Sequence, residues 1–220
     1  MKQSILLMLL LLCIGCAKKE PLYQGKAASQ WSSELQAPDA KARRTAAGAL
    51  AALRAKPAVP DLIVALKDQD PAVRAGAAEA LWSIGPDARD AVPNLTTALA
   101  DPIANVRLNA VGALGEIGAP AHSAIPAVVG LLKDRDENVR VSAAQALAKF
   151  GPDARIAIPG LTDALRDRDK ALRIAAAYAL AAIGRDASSA VPVLRSLAKD
   201  KDGDICTAAA YAIKQIEGGK

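Results

Sequence analysis

Histidine, cysteine and aromatic residues are all scarce in this chain of 220 residues, and each shortage removes a class of function. There is one histidine, His122, in the stretch Ala119-Pro120-Ala121-His122-Ser123. A zinc centre takes three or four Cys, His or carboxylate ligands, so one histidine does not suggest such a site. A Ser-His-Asp arrangement would have to be built around the same residue with no acidic neighbour fixed beside it. A solvated loop histidine is the expectation, and no metal or cofactor is expected. Aromatics amount to 3% of the chain against 52% hydrophobic residues, so the apolar content is mainly alanine and leucine. That composition excludes disorder and suits helices packed closely together, an all-α protein. Charge of one sign is lacking too. The 28 Lys+Arg and 23 Asp+Glu leave a formal +5, with the two signs interleaved. Such a balance makes no basic stripe, and no nucleic-acid partner is expected.

The long apolar run is confined to the N-terminus, MKQSILLMLLLLCIGC. Lys2 precedes Ile5 to Leu12, and small residues follow. This reads as a secretory signal, too short to cross a hydrocarbon core of about 30 Å as a stable helix. Its end resembles the lipobox of bacterial lipoproteins, with Ile14 and Gly15 directly before Cys16. The pattern departs at Cys13, where leucine is usual. The resemblance implies removal of residues 1–15, a diacylglycerol thioether on Cys16, and anchoring in a membrane with the rest outside the cytoplasm, on the periplasmic side of the envelope. Each buried CH₂ of such an anchor contributes about 0.8 kcal/mol. Residues 16–27 then read as a lipidated tether, because AKKEPLYQGKA has no helical period and carries Pro21 and Gly25. With Cys13 removed and Cys16 lipidated, Cys206 alone keeps a thiol, so no intramolecular disulfide is expected. Loss of Lys2 lowers the formal charge from +5 to +4.

The rest of the chain is self-similar. Pro60, Pro93, Pro126, Pro159 and Pro192 follow one another at intervals of 33 residues. Asp68, Asp101, Asp134, Asp167 and Asp200 repeat at the same interval. So do the pairs Val73-Arg74, Val106-Arg107, Val139-Arg140, Leu172-Arg173 and Ile205-Cys206, and then Leu81, Leu114, Leu147, Leu180 and Ile213. Gly85, Gly118, Gly151 and Gly184 close four of the units. An earlier copy aligns Trp31, Leu35, Arg43 and Leu50 with Leu62, Leu66, Arg74 and Leu81. Six units result, at about 28–57, 58–90, 91–123, 124–156, 157–189 and 190–217, with a tail at 218–220. Each unit predicts two helices. In the second unit Pro60 opens the first, with Leu62, Ile63 and Leu66 as its apolar stripe. The turn Asp68-Gln69-Asp70 offers an N-cap carboxylate, Pro71 starts the second helix, and Val73, Ala77, Leu81 and Ile84 form its inward stripe. Neither helix buries its apolar face alone, so neighbouring units must stack. Six layers at about 8–10 Å helix spacing predict an α-solenoid some 50–60 Å long.

The proline, aspartate and Val-Arg columns resemble HEAT repeats, in particular the subgroup named after phycobilisome lyases. That resemblance implies a hydrogen-bonded ladder between repeats, in which Asp68, Asp101, Asp134 and Asp167 partner Arg74, Arg107, Arg140 and Arg173. Unit one has Ser29 and Ala37 in place of the proline and aspartate, and unit six has Cys206 in place of arginine. Departures at both ends suit capping units.

The family also contains enzymes. HEAT-repeat hydroxylases hold di-iron through His-Glu pairs, but His122 is followed by Ser123. Bilin lyases work in the cytoplasm, whereas this signal exports the chain, and Cys206 falls in the ladder's arginine column. Asp200-Lys201-Asp202-Gly203-Asp204 starts like an EF-hand loop, yet the sixth and twelfth positions are Ile205 and Tyr211 instead of glycine and glutamate. The expectation is therefore a non-catalytic scaffold that presents a concave face, lined by the second helices, to a protein or peptide partner. The column six residues after Val73 and its counterparts varies freely: Gly48, Glu79, Gly112, Gln145, Tyr178 and Tyr211. Trp82, Glu116, Lys149 and Lys214 lie within a turn of it. Candidate contact residues are thus Glu79, Trp82, Glu116, Gln145, Lys149, Tyr178, Tyr211 and Lys214, with the tyrosines and Trp82 as hot-spot candidates.

Overall fold

A computed structural model describes residues 21–218, which form twelve α-helices and one short hairpin. The first helices of the six units are α1 (Ala28–Glu34), α3 (Val59–Ala65), α5 (Val92–Ala98), α7 (Ile125–Gly130), α9 (Ile158–Ala164) and α11 (Val191–Leu197). The second helices are α2 (Ala40–Leu53), α4 (Pro71–Ile84), α6 (Ala104–Ile117), α8 (Glu137–Phe150), α10 (Lys170–Ile183) and α12 (Gly203–Gly218). Cys16 and residues 1–15, read above as a lipidated cysteine and its signal, lie outside the described residues. Among the described residues no helix is long and apolar enough to cross a membrane.

Sequence chemistry accounts for each boundary. The repeated prolines sit in the first turn of the first helices, where a missing N–H breaks no bond. These helices have six or seven residues, too short to persist alone, and are held by burial. Leu62, Leu95, Val128, Leu161 and Leu194 are all fully inaccessible. Asp39, Asp70, Asp136 and Asp169 cap four of the second helices by accepting from N–H groups of the first turn. The second helices of units two to five end where Gly85, Gly118, Gly151 and Gly184 take φ of 71°, 69°, 58° and 79°, a region that L side chains avoid. A short 3₁₀ segment then leads into the next unit, as in Gly85–Ala91 and Gly151–Ala157. Ala88 and Ala91, Ala121 and Ala124, Ala154 and Ala157, and Ala187 and Ala190 are all at 0% exposure in these segments. Their spacing of three matches the 3₁₀ period and keeps both methyls inward.

The second helices pack one on the next, α2 through α12, and form a continuous row. Each first helix packs against the second helix of its own unit. Leu50, Leu81, Leu114, Leu147 and Leu180 lie along the interior of the row at 0% exposure, interleaved with alanines such as Ala77, Ala110, Ala143 and Ala176. Small residues at these positions let the helix backbones approach closely, which is the use of so much alanine.

One expectation is corrected at the N-terminal end. Leu22–Ala27, read as part of a tether, form a hairpin of β1 (Leu22–Tyr23) and β2 (Lys26–Ala27). Its turn residues Gln24 and Gly25 both have positive φ, 48° and 77°, as a two-residue type I′ turn requires. Trp31 of α1 holds the hairpin down. Its Nε1 donates to the Tyr23 carbonyl at 3.1 Å, its ring meets Tyr23 edge-on, and the Lys26 ammonium lies 4.4 Å from its centroid. Lys26 also pairs with Glu34. No helical period could reveal this segment, because its partner is the indole of a different element.

Candidate binding face

The arginine column lies at the start of each second helix, and its charges are committed to stacking. Arg43 Nε and Nη2 reach Asp68 at 2.6 and 2.9 Å, and Arg74 reaches Asp101 at 2.7 and 3.1 Å. Arg107 reaches Asp134 at 2.8 and 2.7 Å. Each carboxylate thus belongs to the unit after its arginine. The pairing of Asp68 with Arg74, Asp101 with Arg107, Asp134 with Arg140 and Asp167 with Arg173 is corrected accordingly. Within a unit the arginine instead donates Nη1 to the aspartate's backbone carbonyl, at 2.9, 2.8, 3.0 and 2.8 Å in units two to five. Arg43, absent from the expected ladder, makes the first rung. The ladder loosens toward the C-terminus: Arg140 Nη2 is 3.8 Å from Asp167, and Arg140 Nε is buried with no partner among the described residues. Cys206 replaces the next arginine, and its half-buried thiol donates to the Ala198 carbonyl at 3.0 Å.

The opposite edge of the second helices carries the varied column. Glu79, Gln145, Lys149, Tyr178, Tyr211 and Lys214 are exposed there. Gly112 is buried instead, because the Trp82 indole lies across it: a Cβ on Gly112 would come within 2.9 Å of three ring atoms. Trp82 Nε1 points to Glu116 Oε1 at 3.5 Å, and Lys149 pairs with the same oxygen. That lysine holds the Glu116 carboxyl below its usual value. Units two, three and four are therefore linked across this face by Trp82, Glu116 and Lys149. Tyr178 and Tyr211 meet with ring centroids 5.6 Å apart and planes tilted by 52°, between units five and six, while 44% and 46% exposed. Exposed aromatic pairs of this kind are the usual anchors of protein contacts.

Sequence reading missed an apolar column on the same face. Leu108, Val141 and Ile174, each directly after a ladder arginine, are only half-buried. The signal was present as three consecutive apolar residues at intervals of 33. A helical stripe assigns them to solvent, and only the stack shows that they share a surface. Beside them, a groove of about 380 Å³ runs between Trp82, Leu108 and Val141. A second hollow, about 480 Å³, lies on the other side of Trp82 and is lined by Arg54, Glu79 and Glu116.

The groups weighed as catalytic have structural partners. His122 is not isolated: its Nε2 is 3.1 Å from Asp153 in the next inter-unit turn, and its ring meets Phe150 edge-on. Lys56 and Asp87 make the corresponding bridge between the first two turns. Asp202 accepts from the N–H groups of Asp204 and Ile205, and Lys170 pairs with Asp202 and Asp204 at 2.7 Å each. Among the described residues no group of three or more His, Cys, Asp or Glu is placed to hold a metal ion.

A row of stacked two-helix units, the first four joined by close arginine–aspartate rungs, defines an α-solenoid repeat scaffold. The chain belongs to the HEAT repeat family, whose model matches residues 28–104, 92–158 and 158–219. Solved structures agree on the fold. An engineered protein is 26% identical with a TM-score of 0.72, over 87% of this chain and 97% of its own. A designed armadillo repeat protein in complex with the peptide (KR)4 is 20% identical with a TM-score of 0.76, over 87% of this chain and 100% of its own. Computationally designed armadillo repeat proteins for modular peptide recognition are 21% identical with a TM-score of 0.70, over 84% and 98%. No curated protein matches the sequence.

Proposed function

We propose that this chain is a non-catalytic scaffold of the bacterial envelope, anchored through a lipid on Cys16, whose second-helix face binds a protein or peptide partner on the periplasmic side. The observation that carries the reading is the exposed Tyr178–Tyr211 pair on the second helices of units five and six. Rigid aromatic rings on neighbouring helices offer large contact area at small conformational cost. A designed armadillo repeat protein of like fold in complex with a peptide supports the idea that a scaffold of this kind can bind a peptide. The signal and lipobox at residues 1–16 support the anchor and the compartment. The committed ladder and the capping role of Asp202 speak for a structural use of the charges.

The test is a crosslinked pull-down of the lipidated protein from its own envelope, wild type against the Trp82/Tyr178/Tyr211 triple alanine. A partner captured by wild type and lost in the variant is the expected result. Capture by both moves the site elsewhere, and no capture removes the binding reading. Bound iron or a bilin absorbance in the purified protein would overturn the non-catalytic part. Mass spectrometry of Cys16 checks the anchor.

A further inference from the structure

We propose that the groove beside Trp82 is a subsite for an apolar side chain of a peptide followed or preceded by lysine or arginine; this rests on the binding reading above and names the chemistry of the partner. Three observations converge on it. Its apolar wall comes from three helices, with Trp82 from α4, Leu108 from α6 and Val141 from α8. At about 380 Å³ it lies within the size range of ligand clefts.

The second observation is a hydroxyl without a partner. Ser142 is 8% exposed, and its Oγ makes no hydrogen bond among the described residues while staying open to solvent, for it is not among the buried side-chain atoms that lack a partner. Elsewhere in these helices hydroxyls donate back one turn, Thr45 to the Lys41 carbonyl at 2.9 Å and Thr207 to the Gly203 carbonyl at 2.7 Å. The Ser142 side chain instead lines the groove, and also the small cleft between Trp82, Gly112 and Gln145. A hydroxyl left open to the groove can both donate and accept, so a peptide carbonyl or amide entering there meets a ready partner.

The third is charge. Glu137, the first residue of α8, and Asp169, the N-cap of α10, are the charged residues that line the groove, and both are acidic. One Asp169 oxygen caps Ala171 N–H, which leaves the other for a ligand. Three neighbouring cations are engaged elsewhere, Lys149 with Glu116, Lys170 with Asp202 and Asp204, and Arg135 with the Pro102 carbonyl, and Arg168, beside Asp169, does not line the groove. A basic side chain of the ligand satisfies these carboxylates, whereas an acidic one meets like charge.

Trp82 supplies the readout. The other tryptophan, Trp31, is 3% exposed in the N-terminal cap, and Trp31→Phe leaves Trp82 as the sole tryptophan, read by selective excitation. Full chain carrying that change, purified in detergent, is titrated with three acetylated, amidated hexapeptides: alternating Leu-Lys, alternating Leu-Glu and alternating Ser-Lys. The Leu-Lys peptide is expected to shift Trp82 emission saturably, with the other two weaker by about tenfold or more. Glu137→Gln together with Asp169→Asn, which keeps an N-cap side chain, is expected to reduce Leu-Lys affinity by about tenfold and flatten its salt dependence. Leu108→Ser should weaken it as well. Equal binding of the Leu-Glu or Ser-Lys peptide overturns the assignment, as does an unchanged affinity in the carboxamide variant. Absence of Leu-Lys binding beside a partner captured through Trp82, Tyr178 and Tyr211 overturns this subsite alone and leaves the binding reading standing.

Discussion

Removing one carboxylate at a time tests the ladder as a graded device. Asp134→Ala deletes two short bonds from Arg107, at 2.7 and 2.8 Å, and one from Asp136 N–H at 2.9 Å. It strands a guanidinium whose side chain is 6% exposed, leaving it only the Asp101 and Pro102 carbonyls. Breaking a buried pair by removing one partner costs about 3–5 kcal/mol. Asp167→Ala deletes the equivalent bond to Asp169 N–H, at 2.8 Å, but only a 3.8 Å contact to Arg140 from a carboxylate that is 27% exposed. The lost ion pair is then worth about 1 kcal/mol or less. Because the two variants share the backbone loss, their difference isolates the arginine contact, about 2–4 kcal/mol. For a chain of this size that separates the melting temperatures by roughly 5–15 °C. Circular dichroism melts and urea midpoints at neutral pH read the difference. Equal shifts for Asp134→Ala and Asp167→Ala would refute the idea that rung geometry sets rung energy.

Further outcomes follow from the same geometry. Asp68 sits below the ordinary carboxylate value of 3.8 because of its bond from Arg43; at Asp101 and Asp134 burial is the largest cause and pushes upward, but the arginine bond, the backbone N–H bond and nearby positive charge together pull down by more. Their contribution is therefore full above 3.8 and lost as pH falls through the lowered values, so acid titration of stability should be shallower in Asp134→Ala than in wild type. Gly112→Ala drives a methyl to 2.9 Å from the indole, so it should cost about 1–3 kcal/mol and red-shift Trp82 emission as the ring lifts off. Trp31→Ala empties a site that is 3% exposed and frees the hairpin; about 3–5 kcal/mol and rapid hydrogen exchange over 22–35 are expected, with protection near α8 unchanged.

The sequence by itself determined the number of units, their helix pairs and most of their boundaries. Proline at a helix start, aspartate at an N-cap and glycine at positive φ act within a few residues of backbone, so position alone reports them. The stripe of Val73, Ala77, Leu81 and Ile84 likewise states a burial that the helix period requires, and the structure places all four in the core. Tyr178 and Tyr211 were legible as neighbours because one interval of 33 separates them. Tertiary structure decided what depends on direction between units. The interval makes Asp68 equivalent to Asp101, and only the stacking shows that Arg74 donates to the carbonyl of the first and the carboxylate of the second. The same holds for His122 with Asp153, for the hairpin that Trp31 pins, and for Trp82 lying over Gly112. A repeat period states which residues are alike, whereas contact depends on how far each side chain reaches into the next unit, and that distance exists only once the units are stacked.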